Sequence, residues 1–249
     1  MCREVRKKTK TDFKKDVYMI ASELWSLLKT EKRTALTEME AKTILSDAGI
    51  PVVQTKVARS KKEVISLSRE IGFPVALKII SSDIIHKSDA GGVRLGLRNS
   101  TQAGKAYTEI IASMKEEFPQ AKIEGISVQR MAPPGVEVII GMTKDPQFGP
   151  LLMFGLGGIM VEILKDVSFR IVPISRKDAT EMIREIKGYP LLKGYRGGDL
   201  VDLPFLEELI MKVSDFVEKY PEIKELDLNP IFAYSKGALV VDARLLLEP

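Results

Sequence analysis

The chain has 249 residues, with 38 Lys+Arg against 34 Asp+Glu, a formal charge of +4, and 45% hydrophobic and 29% charged residues. This is the composition of an ordinary folded protein, and the length allows one large domain or two compact subdomains. It excludes collagen-like, low-complexity and wholly disordered chains; a single cysteine (Cys2) and a single histidine exclude an internal disulfide, a Cys-based zinc site and a multi-His metal centre.

The N-terminus carries Arg3, Arg6, Lys7, Lys8 and Lys10 without an apolar run, so no secretory signal is expected and the cytoplasm is the expected location. No stretch approaches the ~20 apolar residues of a membrane span. A charge of +4 is too small to argue for nucleic acid. Phe13, Val17, Ile20, Leu24 and Leu27 recur at helical spacing and predict one apolar stripe, and Glu31-Lys32-Arg33 reads as a linker. Residues 1–34 are thus a basic tail and an N-terminal helix.

Thr37-Glu38-Met39-Glu40 is a capping box that starts a helix stopped by Gly49 and Pro51. Val52 to Ala58 reads as a strand. Ser60-Lys61-Lys62-Glu63 opens another helix, which ends at Gly72. Strands follow at 75–80 and 92–97, a helix at 101–117, and strands at 126–131 and 137–142 around Pro133-Pro134-Gly135. The remainder reads as strands at 151–154, 160–164 and 169–172, helices at 177–187 and 203–219, and strands at 224–228 and 238–241. Mixed helices and strands in this order indicate α/β or α+β.

Lys78 is the lone charge in the apolar strand FPVALKII, on the same side as Ala76 and Ile80. A buried ammonium needs an anion or an exit to solvent, and the residues alone leave both open. The segment IIHKSDAGGV places His86, Lys87 and Ser88 ahead of Gly91 and Gly92. Such a loop can bring backbone N–H groups to phosphate, or simply turn. His86 can carry a phosphoryl group on its imidazole, although an isolated loop histidine is more often a bystander. Gly157 and Gly158 suit either close ligand approach or a tight strand connection. Asp227 and Asn229 stand two apart on a strand that Pro230 should end, with Asp242 expected on a neighbouring strand. Their oxygens would suit Mg²⁺, but such residues also form turns.

The order of these parts, with the hinge strand Gln129-Arg130-Met131 and Glu137 between them, resembles an ATP-grasp nucleotide site. More narrowly, the chain from Leu36 onward is similar to the β subunit of archaeal ADP-forming acetyl-CoA synthetase (acetate–CoA ligase, ADP-forming). The match is carried by GFPVALKI, IIHKSDAGGV, EVIIGMTKDPQFGPLLMFGLGGI, VEILKDVSFRIVPI, and ELDLNPIFAY with VVDAR. The resemblance implies an ATP-grasp fold of two mixed α/β subdomains, 35–132 and 133–249, with the nucleotide between them. It implies interconversion of acyl-CoA, ADP and phosphate with acid, CoA and ATP through a phosphohistidine.

By the same resemblance His86 is the phosphoryl station and Lys78 a nucleotide-binding lysine, while Asn229 and Asp242 are Mg²⁺ ligands. Gln129, Arg130, Met131 and Glu137 are nucleotide-site candidates, and Asp227 orients the phosphohistidine or the metal shell. Lys87, Ser88, Gly91, Gly92, Gly157 and Gly158 are phosphate-loop candidates. The implied partner is a larger α subunit with the CoA site and its own phosphohistidine, in an α2β2 assembly, with neither nucleic acid nor membrane involved. The alternatives are a relative using another acyl acid or GDP, and a non-catalytic nucleotide-binding regulator.

Overall fold

The computed structural model describes residues 21–81, 83–84, 90–158, 165–198 and 200–249. The first strand-like stretch forms only at its end, as β1 (Thr55–Ala58), while Val52 makes an isolated bridge to Val240. Strands β1, β2 (Val75–Ile80), β3 (Val93–Leu97) and β4 (Gly125–Arg130) build a four-stranded sheet in the order β1-β4-β2-β3. Helices α3 (Lys61–Ile71) and α4 (Ser100–Glu117) cover one face. The 2-residue side-chain alternation explains the split of β2: Val75, Leu77 and Ile79 enter the core under α3 and α4, leaving Ala76 and Lys78 on the other face.

The second sheet has six strands. β5 (Val136–Asp145), β6 (Gly149–Leu156), β7 (Val167–Ile171), β8 (Ile223–Ala233) and β10 (Ala243–Leu247) run in the order β10-β8-β5-β6-β7, and β9 (Ala238–Val240) pairs with β8. All ladders in both sheets are antiparallel. One face packs on α5 (Arg176–Glu185) and α7 (Leu203–Lys219), and α6 (Tyr189–Leu192) is a short turn between them. Leu206, Leu209, Ile210 and Val213 of α7 are essentially fully buried there. Each such side chain contributes about 1.5–3 kcal/mol of burial.

Helices α1 (Ala21–Glu31) and α2 (Glu38–Asp47) belong to this larger core. A cut at residue 35 would separate them, yet Leu24 and Leu28 of α1 share one apolar cluster with Ile44 and Leu45 of α2 and with the six-stranded sheet. The predicted α1 stripe shifts: Trp25 and Leu28 are buried, whereas Leu27 is half-exposed. Phe13, Val17 and Ile20 of that stripe lie outside the described residues, as does the expected strand at 160–164. The Thr37 capping box forms as expected, with Glu40 N–H donating to Thr37 Oγ1 and Thr37 N–H donating to Glu40 Oε2.

Two expectations at the C-terminal end are corrected. Pro230 does not end its strand, because β8 continues to Ala233. Val138 pairs with Ile231 and Ile140 with Leu228, so Asn229 and Pro230 of β8 oppose the single Ile139 of β5, a bulge. A proline is tolerated there because the bulge leaves no ladder bond for it to donate. Asp242 is not on a strand either; it sits in the link Val241-Asp242 between β9 and β10. Among the described residues no helix is long and apolar enough to cross a membrane.

Candidate active site

A cleft of about 690 Å³ opens where the two sheets meet. The small sheet supplies Ala76, Lys78, Val93, Leu95 and Gln129, followed by Met131. The larger unit supplies Thr37, Glu38, Pro230, Phe232, Asp242 and Arg244. Apolar and charged side chains both line the cleft, a mixed wall suited to a ligand with a ring system and an anionic tail.

Lys78 reaches neither solvent nor an isolated anion. Its Nζ donates to Asp242 Oδ2 at 2.8 Å and to Glu38 Oε1 at 2.9 Å. Burial works to lower its pKa, but the two carboxylates overcome this and hold the ammonium above its ordinary value. Glu38 Oε1 also accepts from Lys42 Nζ at 2.6 Å, and Lys42 donates onward to Gln129 Oε1 at 2.9 Å. Burial pushes the Lys42 ammonium below its ordinary value. Glu38 is buried too, yet the two lysines pull its carboxyl below the usual range. Gln129 is almost fully buried in β4, so its amide serves as a fixed acceptor for Lys42.

Asn229 and Asp242 are brought side by side, as Asn229 N–H donates to the backbone carbonyl of Asp242 at 3.3 Å. The Asp242 side chain spends Oδ1 on Ala243 N–H at 2.9 Å and Oδ2 on Lys78, and remains 42% exposed. Asp227 lies opposite Arg244 in the β8–β10 ladder. Its surroundings, and then the like charge of Asp242, push its carboxyl above the ordinary range against the pull of Arg244. No cluster of three or more His, Cys, Asp or Glu able to hold a metal occurs among the described residues. One carboxylate with a neighbouring amide oxygen still fits a hard divalent cation that keeps waters and takes further oxygens from phosphate.

The other candidates fall around this centre. Met131 lines the cleft, whereas Arg130 is exposed. Glu137 is exposed and does not line the cleft, although it lies opposite the cleft-lining Phe232 in the β5–β8 ladder; its carbonyl accepts from Gly157 N–H at 2.8 Å. Gly158 has φ +62°, and a Cβ there would come within 2.7 Å of Glu137 Oε2, so Glu137, Gly157 and Gly158 form one tight local group. Gly91 and Gly92 lead into β3, with the Gly92 carbonyl accepting from Ile79 N–H at 2.8 Å. His86, Lys87 and Ser88 lie outside the described residues; Ile84, just before them, lines the cleft.

Sequence reasoning missed Glu38, Lys42, Arg33 and Arg244. Glu38 and Lys42 carry the i,i+4 spacing of a helix ion pair, a signal present in the sequence but usual on solvated faces. Arg33, read as linker, forms a two-pronged pair with Glu40, both contacts at 2.8 Å, and lines the cleft.

Residues 27–247 match the family model of the ATP-grasp domain. Over 227 residues the chain is 52% identical to the beta subunit of acetate–CoA ligase [ADP-forming] I from Pyrococcus furiosus, covering 91% of this chain and 97% of that one. The fold matches dinucleotide-forming acetyl-coenzyme A synthetase 1 of Ca. Korarchaeum cryptofilum, solved with coenzyme A, Ca-AMPCP and HgCl+. The TM-score is 0.88 at 50% identity over 92% of this chain and all of that one (100%). A second structure of that synthetase holds coenzyme A and Mg-AMPPCP, with its phosphohistidine segment pointing towards the nucleotide binding site. Its TM-score is 0.81 at 46% identity, again over 92% and 100% of the two chains. With its two antiparallel sheets, the lysine-bearing cleft between them and this likeness along nearly its whole length, the chain belongs to the ATP-grasp family and, within it, to the beta subunits of ADP-forming acetate–CoA ligases.

Proposed function

We propose that the chain is the nucleotide half of a hetero-oligomeric acid–thiol ligase, in which a larger α subunit binds CoA and forms the acyl phosphate, in an α2β2 assembly. Adenine nucleotide enters the cleft between the sheets, with its base against Val93, Leu95, Met131 and Phe232 and its phosphates at Lys78. The observation that carries this reading is the Lys78–Asp242 pair at 2.8 Å across that cleft. It supports the reading because a cation suited to phosphate and a carboxylate suited to a divalent ion meet at one point, charge neutralisation being most of what phosphoryl transfer asks of a protein.

Asn229 and Asp242 would hold Mg²⁺, which when bound offsets phosphate charge. His86 follows the cleft-lining Ile84 by two positions, and its imidazole nitrogen takes the phosphoryl group from the partner and gives it to the terminal phosphate oxygen of ADP. The P–N bond at His86 forms as the P–N bond of the partner's phosphohistidine breaks, and it is broken in turn when a terminal phosphate oxygen of ADP attacks the phosphorus to give ATP. Asp227 orients this exchange from the strand that carries Asn229. Gln129 and Met131 position the nucleotide from the hinge strand, and Glu137 braces the Gly157-Gly158 turn.

The test uses the single histidine. Mg-ATP, with the partner subunit present, should label this chain with an acid-labile, base-stable phosphate. His86→Ala and His86→Asn should abolish the label and ATP formation while leaving ADP binding intact. Wild-type ATP synthesis by either variant would remove His86 from the mechanism. Robust acyl-CoA-dependent ATP synthesis by the homogeneous chain alone would overturn the division of labour.

A further inference from the structure

The Lys78 ammonium is held from two sides by carboxylates that differ in freedom. Asp242 is 42% exposed at the cleft, whereas the Glu38 side chain is 11% exposed and Lys42 behind it only 3%. Under the function proposed above, on which this inference rests, Asp242 has a second task at the cation, so its hold on Lys78 loosens as nucleotide enters. Glu38 has no such competing task. It accepts from both lysines through the same oxygen, Oε1, and α2 fixes it to the larger core.

A carboxylate beside a phosphate-binding lysine would by itself repel the phosphate, and here the geometry supplies the remedy. Lys42 stands 2.6 Å behind Glu38 and is anchored on the far side by Gln129 Oε1 at 2.9 Å, so the negative charge of Glu38 is cancelled from within the protein. The cleft then meets the unspent charge of Lys78. Four elements meet in this chain of contacts: α2, β2, β4 and the link before β10.

We propose that Glu38 is a positioning residue for the known reaction: it holds the Lys78 ammonium at the phosphate end of the cleft after Asp242 turns to its cation, and Lys42 neutralises Glu38 so that this hold does not repel the nucleotide. Without Glu38, Lys78 faces Lys42 directly and falls back on Asp242, where it competes with cation and phosphate together.

The experiment is a double-mutant cycle on the full chain, with Mg-ADP titrated calorimetrically into wild type, Glu38→Gln, Lys78→Ala and the pair. Glu38→Gln should weaken Mg-ADP binding by about ten-fold, the scale of a charge-assisted contact, and should cost nothing further once Lys78 is alanine. A merely structural role would give the same loss in both backgrounds, and that result, or unchanged affinity in Glu38→Gln, overturns the proposal. Glu38→Gln strands the Lys42 ammonium, so if it does not fold, Glu38→Gln with Lys42→Met removes the charge pair together and carries the same expectation. Wild-type affinity in Lys78→Ala would instead overturn the assignment of phosphate to Lys78, and this inference with it.

Discussion

Lys78 Nζ of β2 and Asp242 Oδ2 of the link before β10 lie 2.8 Å apart, joining two sheets whose hydrophobic cores are separate. The pair is far apart in sequence and close only because the sheets face one another. It links the small and large units without requiring an apolar interface at the cleft itself. A ligand carrying its own anion and cation can replace each partner in turn, so the contact that spans the cleft is also the one a metal–nucleotide complex would exchange.

Asn229→Ala and Asp242→Ala should both weaken Mg-ADP binding, but differently. Asn229→Ala removes only an oxygen donor and should leave metal-free ADP binding unchanged. Asp242→Ala also releases Lys78 and should raise affinity for metal-free ADP while lowering it for Mg-ADP, each by about ten-fold. Titrations with and without Mg²⁺ check this, and identical behaviour of the two variants would refute it.

Glu40 gives an acid limb to stability. Burial opposes its charge, but Arg33 and the Thr37 N–H hold its carboxyl below the ordinary 4.5. A depressed folded pKa stabilises the fold above pH 4.5 and loses that contribution as pH falls through the folded value. Glu40→Gln should cost about 1 kcal/mol at pH 7, through both cap and ion pair, and should flatten the fall of Tm below pH 4.5. Thermal melts between pH 3 and pH 7 are the measurement; parallel curves would contradict it.

Asp227 should have the opposite sign. Its carboxyl is pushed up, first by its surroundings and then by Asp242, so its contribution is favourable below the ordinary 3.8 and is lost as pH rises through the folded value. Asp227→Asn should therefore raise Tm slightly at pH 7, the effect being screened at this exposed side chain, and leave it unchanged at pH 3. Under the role proposed for Asp227, ATP synthesis with the partner should fall in the same variant. A lower Tm at pH 7 would refute the stability part.

Gly188→Ala should be the most damaging of these changes. A Cβ there would sit 2.1 Å from Leu156 Cδ1, inside the larger core, while Asp166 accepts from Gly188 N–H at 2.7 Å and prevents the backbone from backing away. Overpacking of this kind costs about 2–3 kcal/mol, or roughly 4–12 °C in Tm for a chain this size. Denaturant and thermal unfolding would show it; a wild-type Tm would mean that Leu156 can move aside.

Local chemistry made most elements legible before the fold was known. The capping Thr37, the apolar run of β2 after Pro74 and the α7 stripe after Pro204 all appear at or within a residue of their expected places. The misses have a common cause. β10 begins directly after Asp242, and nothing local in ARLLL distinguishes a sixth strand from a tail until Leu226 and Leu228 are there to pair with it. Pro230 reads as a terminator because the bulge that accommodates it is a property of β5 and β8 together. At the site, Lys78 was visible as a charge in need of a partner, and the order of motifs pointed to its chemistry. That its partners are Glu38, 40 positions before, and Asp242, 164 after, is a consequence of tertiary structure alone.

The N-terminal segment after α1 is sewn to the last strand: Leu36 N–H donates to Leu245, Leu247 N–H donates to Thr34, and Ala35 bridges Leu246. Since α1 and α2 complete the core of the six-stranded sheet, the four-stranded sheet is topologically an insert, entered near Val53, which donates to Val240, and left near Val136, which pairs with Ala233. Both crossings flank the same β8–β9 hairpin. The two crossings thus lie close together on the larger unit, and each core is whole on its own side of them.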